Sequence, residues 1–258
     1  MSVATVADPI LADGLARIAR DIDSAYDALL PVPNDARARL VEAMRYATIG
    51  GGKRIRPLLL AATAEMFGVS RDAAIRAGCA IEAIHAYSLI HDDLPCMDDD
   101  AMRHGKPTVH RAFDEATAVL AGDALHALAF ELLSDPAMSG DPFTRAELVF
   151  ALGHASGMNG MAGGQMMDMV SETAEFDLQT ITRLQQLKTG ALLGAAVEMG
   201  AILGRFRLKG APICAAMPAT SALPSRSRTT CLITKATRKP PERRCARMMR
   251  RASSPSCR

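Results

Sequence analysis

A chain of 258 residues, 49% of them hydrophobic, can bury the core of one large domain. Aromatics make up only 4%, with no Trp, while Ala, Leu and Met abound; this disfavours a sandwich or barrel and points to helices. The net charge of +2 conceals a split: from Arg205 onward 14 Lys and Arg face a single acid, Glu242, so the body before it is strongly acidic.

Met1 to Pro9 hold neither a basic start nor a continuous apolar run, so no signal peptide is read there. No uninterrupted apolar stretch reaches membrane-spanning length. The six Cys lack metal-type spacing, and Cys79 and Cys96 read as reduced thiols of a cytoplasmic protein. Apolar residues recur at helical spacing over positions 10–30, 36–48 and 57–67. Ahead of the third helix stands Gly51-Gly52-Lys53-Arg54-Ile55-Arg56-Pro57, which gathers three cations at a helix start after two glycines. Backbone N–H groups and an Arg fork suit a diphosphate, although a solvated basic turn has the same composition. It is not a P-loop, because Gly-Lys-Ser/Thr is absent.

The next helix, 72–92, is the most continuous, with Ile75, Cys79, Ile81, Ile84, Tyr87, Ser88 and Ile90 on adjoining faces. Pro95 ends it, since the residue before proline is driven from helical geometry. At that end lies Asp92-Asp93-Leu94-Pro95-Cys96-Met97-Asp98, followed by Asp99 and Asp100. Five acids within nine positions repel one another and are expected outside the core, where burial would demand a charged partner. A hard divalent cation relieves the repulsion, and Mg²⁺ takes one or two carboxylates plus water and phosphate oxygens. Arg103-His104-Gly105-Lys106-Pro107-Thr108 then sets further cations beside the acids. Together these residues describe an enzyme that holds an organic diphosphate through Mg²⁺. Helical spacing continues over 113–134, 143–155 and 176–203, with Asp135-Pro136 and Gly163-Gly164 as interruptions, and nothing alternates long enough for a strand. The expectation is an all-α domain over 1–204.

The run from Ile84 to Asp100 resembles the first aspartate-rich motif of the trans-polyprenyl diphosphate synthases, and the bacterial farnesyl diphosphate synthase branch most closely. Five further stretches resemble other motifs of that family in the same order: Gly51 to Pro57, Gly105-Lys106-Pro107-Thr108, Ala121-Gly122-Asp123-Ala124-Leu125, Gly163-Gly164-Gln165 with Asp168, and Lys188-Thr189-Gly190. The resemblance covers about positions 10–204. It implies a bundle of antiparallel helices around a deep cavity, normally a homodimer, that condenses isopentenyl diphosphate with dimethylallyl or geranyl diphosphate. Under it, Asp92, Asp93 and Asp98 hold Mg²⁺ on the allylic diphosphate, with Arg103 beside them. Lys53, Arg56, His85 and His104 bind isopentenyl diphosphate, His104 standing where the family usually has Arg. Lys188 and Thr189 reach the allylic diphosphate from the opposite wall, with Gln165 and Asp168 lining the same cavity. Tyr87 and Ser88 limit product length, and the ring at Tyr87 favours a fifteen-carbon product over the twenty carbons of a geranylgeranyl synthase. Catalysis is assigned to Asp92, Asp93 and Lys188.

Residues 205–258 depart from the family, since its second aspartate-rich motif is absent and the composition reads as an unfolded basic tail. Combining the third base of each codon from Pro224 to Ile233 with the first two bases of the next permits Phe-Gln-Ile-Ala-Asp-Asp-Leu-Leu-Asp, the missing motif. A one-nucleotide deletion near the codons for Gly204 or Arg205 would account for both the lost motif and the basic charge. The helices closing the bundle are therefore expected to be missing, and a non-catalytic subunit paired with an intact synthase is an alternative reading. Nucleic-acid binding is not expected, because the tail lacks interleaved aromatics.

Overall fold

The structure, a computed structural model, describes residues 9–205. The basic segment beyond Arg205, and with it the expected change of reading frame, lies outside the described residues. The helices are α1 (Pro9–Leu29), α2 (Ala38–Thr48), α3 (Ile55–Met66), α4 (Arg71–Asp92), α5 (Val109–Ala112), α6 (Glu115–Ser134), α7 (Pro142–Ser156), α8 (Met161–Val170), α9 (Leu178–Gln185) and α10 (Ala191–Leu203). The only strands among the described residues are β1 (Met102–Arg103) and β2 (Lys106–Pro107), one two-residue pair.

α4 is the central helix, and its composition explains why. Ala74, Ala77, Gly78, Ala80, Ala83 and Ala86 are buried together with Ile81, Ile84 and Ile90, so neighbours pack on several sides. Small residues let them approach: a Cβ at Gly78 would lie 3.2 Å from Ile22 of α1 and 3.4 Å from Pro57 of α3. Ser70 caps the helix start by accepting from the Ala73 N–H. α6 runs antiparallel along α4, with Arg76 bonded to Asp135, Tyr87 against His126, and His91 against Gly122. α10 advances in the same direction as α3, with Gly200 against Leu60 and Ala64, and Gly204 against Phe67.

α6 is long and apolar enough to cross a membrane by length and composition, although Asp123, His126 and Glu131 interrupt its apolar residues. Here Ala118, Ala121, Gly122, Leu125 and Ala129 instead bury one of its faces within the bundle. Three features were not legible as elements. The Met-rich run interrupted by Gly163 and Gly164 folds as α8, because its glycines let the helix press against its neighbour. The helix expected over 176–203 is divided into α9 and α10 by a π-helical turn, Gln186–Gly190. The Arg103–Lys106 segment turns as a hairpin because His104 and Gly105 both take positive φ, the two-residue turn that matches strand twist.

Candidate active site

The glycine loop between α2 and α3 is shaped by the buried Arg54. Gly50, Gly52 and Arg54 all have positive φ, and the Arg54 backbone persists there because its side chain is held on three sides. Its Nη1 donates to Glu82 Oε1 of α4 at 2.9 Å, and its Nη2 to Asp23 Oδ1 of α1 at 2.8 Å and to the Thr48 carbonyl ending α2. Asp23 also accepts from the Gly50 N–H at 3.2 Å. Of the three cations in this loop, Arg54 is therefore scaffolding. Lys53 is exposed, and Arg56 is half-buried with its Nε buried and without a partner.

Burial pushes the Arg56 guanidinium below its usual value, with Glu82 opposing. Burial, then the Arg56 charge and His104, drives His85 well below the usual histidine range, so its ring is neutral. The exposed His104 is lowered by partial burial and then by Arg103 and Arg54. Its ring overlies the loop: a Cβ at Gly51 would lie 3.7 Å from it and one at Gly52 3.9 Å. Lys53, Arg56, His85 and His104, assigned to one diphosphate from sequence, are thus carried on adjoining segments.

The acidic cluster sits where α4 ends and the chain turns back. The Asp98 N–H donates to the Asp92 carbonyl at 2.8 Å, closing the turn. Asp93 departs from the expectation of solvent-facing acids: it is buried, which its ion pair with Arg103 of β1 permits. Arg103 Nε donates to Asp93 Oδ1 at 3.1 Å and Nη2 to Asp100 Oδ2 at 3.1 Å. Burial raises Asp93 while Arg103 opposes. Asp92 is pushed up to about 6 by burial; Lys188 opposes this, and Asp98 and Asp93 add to it.

No group of three His, Cys, Asp or Glu side chains among the described residues closes around a single point. A site built wholly from protein ligands, as structural zinc requires, does not fit. Mg²⁺ does fit, because it needs only one or two carboxylates, and Asp92 beside Asp98 supplies like charges that a cation would relieve. Asp93, assigned to the same ion from sequence, accepts from Arg103 Nε through both carboxylate oxygens.

Lys188 and Thr189 lie on the π-helical turn, with Lys188 half-buried and Thr189 exposed. The turn is pressed onto α8 at Gly164, where a Cβ would overlap the backbone of Leu187 and Lys188. Lys188 Nζ bonds Asp168 Oδ2 of α8 at 2.5 Å, while its charge still reaches Asp92. Gln165 is half-buried on the same helix. One turn before the acids, the half-buried Tyr87 ring packs edge-on against His91 and His126, and Ser88 Oγ donates to the His85 carbonyl at 2.9 Å. Sequence reasoning missed Glu82 and Asp23. Glu82 alone left a signal, as an acid within the apolar run of α4, one turn before His85.

The polyprenyl synthetase family profile matches residues 37–214. The chain is 48% identical over 180 residues to the farnesyl diphosphate synthase of Escherichia coli K12, covering 69% of this chain and 59% of that one. To the farnesyl diphosphate synthase of Bacillus subtilis it is 45% identical over 181 residues, covering 70% and 60%. The chain therefore spans about three-fifths of the length of these curated relatives. The apo crystal structure of an FPP/GFPP synthase from Zymomonas mobilis superposes with a TM-score of 0.76 at 61% identity, covering 77% of this chain and 72% of that one. An all-α bundle with an acidic turn, a cationic glycine loop and a lysine-bearing turn, matched over these lengths, makes the chain a member of the polyprenyl synthetase family.

Proposed function

We propose that the chain carries the substrate-binding part of a trans-prenyltransferase that joins isopentenyl diphosphate to an allylic diphosphate, dimethylallyl or geranyl, to give farnesyl diphosphate. The observation that carries this reading is the placement of two diphosphate-competent regions on the Arg103–His104 hairpin's two sides. Arg103 is bonded to Asp93 in the acidic cluster, and His104 overlies the cationic loop.

Asp92 and Asp98 would hold Mg²⁺, which, when bound, neutralises charge growing on the allylic leaving group. Lys188 and Arg103 orient that diphosphate so that its C–O bond breaks beside fixed positive charge. Lys53 and Arg56, with neutral His85 and His104 as single donors, hold isopentenyl diphosphate so that its double bond attacks the allylic carbon. The new C–C bond forms, and a proton leaves to the departing diphosphate. The edge-packed Tyr87 ring sits one turn behind Asp92 and limits chain growth to fifteen carbons. Two such chains pair as the homodimer of a cytoplasmic enzyme.

Activity is expected to need the second acidic motif. Restoring the alternative frame after Gly204 should raise farnesyl diphosphate formation at least about 10³-fold, roughly 4 kcal/mol of transition-state stabilisation. In the restored enzyme Asp92→Ala should lose a similar factor, read as product formed from geranyl and isopentenyl diphosphates with Mg²⁺. Unchanged turnover in Asp92→Ala, or in excess chelator, would falsify this assignment.

A further inference from the structure

We infer that Tyr46 and Lys106 form a reciprocal clamp that positions the hairpin over the glycine loop, making both residues positioning residues for isopentenyl diphosphate. This rests on the function proposed above. Tyr46 lies in the last turn of α2, and Lys106 is the first residue of β2. Lys106 Nζ donates to the Tyr46 carbonyl at 2.9 Å and to the Ile49 carbonyl at 3.4 Å, so a cation closes the carbonyl-rich end of α2. The same ammonium lies 4.7 Å from the centroid of the Tyr46 ring. In return, Tyr46 OH donates to the Pro107 carbonyl at 2.8 Å. Each residue thus bonds the backbone of the other's segment.

The clamp falls between the two parts of one proposed subsite. Three residues beyond Ile49 lies Gly52, and two residues before Lys106 lies His104, whose ring overlies Gly51 and Gly52. The hairpin is short, with two residues per strand, and cannot hold itself in place by strand pairing alone. A second support, Tyr46 edge-on to Phe113 with Arg39 over that ring, fixes the chain beyond α5 but does not reach the hairpin tip. Without the clamp, His104 would move relative to Lys53 and Arg56, while Arg103 stays tied to Asp93. An error near 1 Å in a polar site matters, because a diphosphate needs all its donors at once.

The test titrates the full chain with isopentenyl diphosphate and, separately, with geranyl diphosphate and Mg²⁺. It compares wild type with Tyr46→Phe, which keeps the ring, and with Lys106→Met, which keeps the stem. Isopentenyl diphosphate binding should weaken about threefold in Tyr46→Phe and about tenfold in Lys106→Met, with geranyl diphosphate changed by less than about twofold. The effects should be less than additive in the double variant, since both residues serve one contact. Equal weakening of both ligands would mean a general loss of structure and overturn the clamp. Unchanged isopentenyl diphosphate affinity in both variants would overturn it too. A wild type that binds neither ligand would instead overturn the function on which the clamp rests.

Discussion

Two charged regions of this chain lie close together and are built on opposite plans. Beneath the glycine loop, Arg54 is buried and its charge is met by Glu82 and Asp23, with the Thr48 carbonyl accepting as well. At the end of α4, Asp92 is half-buried beside Asp93 and Asp98, and its carboxyl stands at about 6 with Lys188 opposing. The first region pairs its buried cation with carboxylates from two helices and fixes where three helices meet. The second keeps excess negative charge, which a cation and a diphosphate would complete. A buried cation matched by carboxylates rigidifies, whereas carboxylates crowded on one another cost stability that a bound cation would relieve.

The largest expected effect tests the closed region. Arg54→Met should destabilise the chain by about 3–5 kcal/mol in urea denaturation, because it leaves Glu82 buried, and Asp23 half-buried, without their cation. A loss below about 1 kcal/mol would show that water already solvates those carboxylates and that the hub is not closed. Gly164→Ala probes the wall facing the open region. Its Cβ would overlap the Lys188 backbone, so about 2–3 kcal/mol of stability should go, and the π-helical turn should shift. Protection of the 186–190 amides from hydrogen exchange reads this directly, and unaltered protection would mean that α8 can move away at little cost.

Asp92→Asn should have the opposite sign. Its raised pKa means the folded chain binds a proton more readily than the unfolded one, so stability is fullest near pH 4 and falls as pH rises through about 6. Removing the charge should therefore stabilise the Mg²⁺-free chain by about 1–3 kcal/mol at pH 7.5 and by almost nothing at pH 4. Thermal midpoints of the two chains across that range measure it; a constant difference would place the effect in packing rather than charge. The smallest effect concerns His104. Arg offers phosphate a permanent charge and a fork, yet this position has a φ of 51°, where His is better tolerated than most residues. His104→Arg in the frame-restored enzyme should lower the KM for isopentenyl diphosphate about threefold, less than charge alone implies, and leave the allylic KM unchanged. Equal changes for both substrates would remove His104 from the isopentenyl side.

Much of the architecture was legible in local pattern. α1 to α4, α6 and α7 follow apolar spacing closely; the acids and the glycine loop could be located by residue type, and Lys188-Thr189-Gly190 only by its family resemblance. Residue type could not say which member of each cluster serves the scaffold. Arg54 and Arg56 are two apart in one loop, yet one is tied to Glu82, 28 residues on, and the other is half-buried outside that ion pair. Asp92 and Asp93 are neighbours, yet the helix end turns one onto Arg103 and leaves the other beside Asp98 and facing the charge of Lys188.

Composition, helical period and motif spacing were enough to determine an all-α chain with an acidic cluster and a cationic glycine loop, because those signals depend on a residue and its near neighbours. The division of labour within each region, the π-helical turn and the hairpin were decided by tertiary structure. Each depends on a contact between segments remote in sequence: Arg54 with Glu82, Gly164 with Lys188, and Tyr46 with Pro107. Burial and ion pairing are properties of that packing, so two identical side chains acquire different chemistry only once the helices have met.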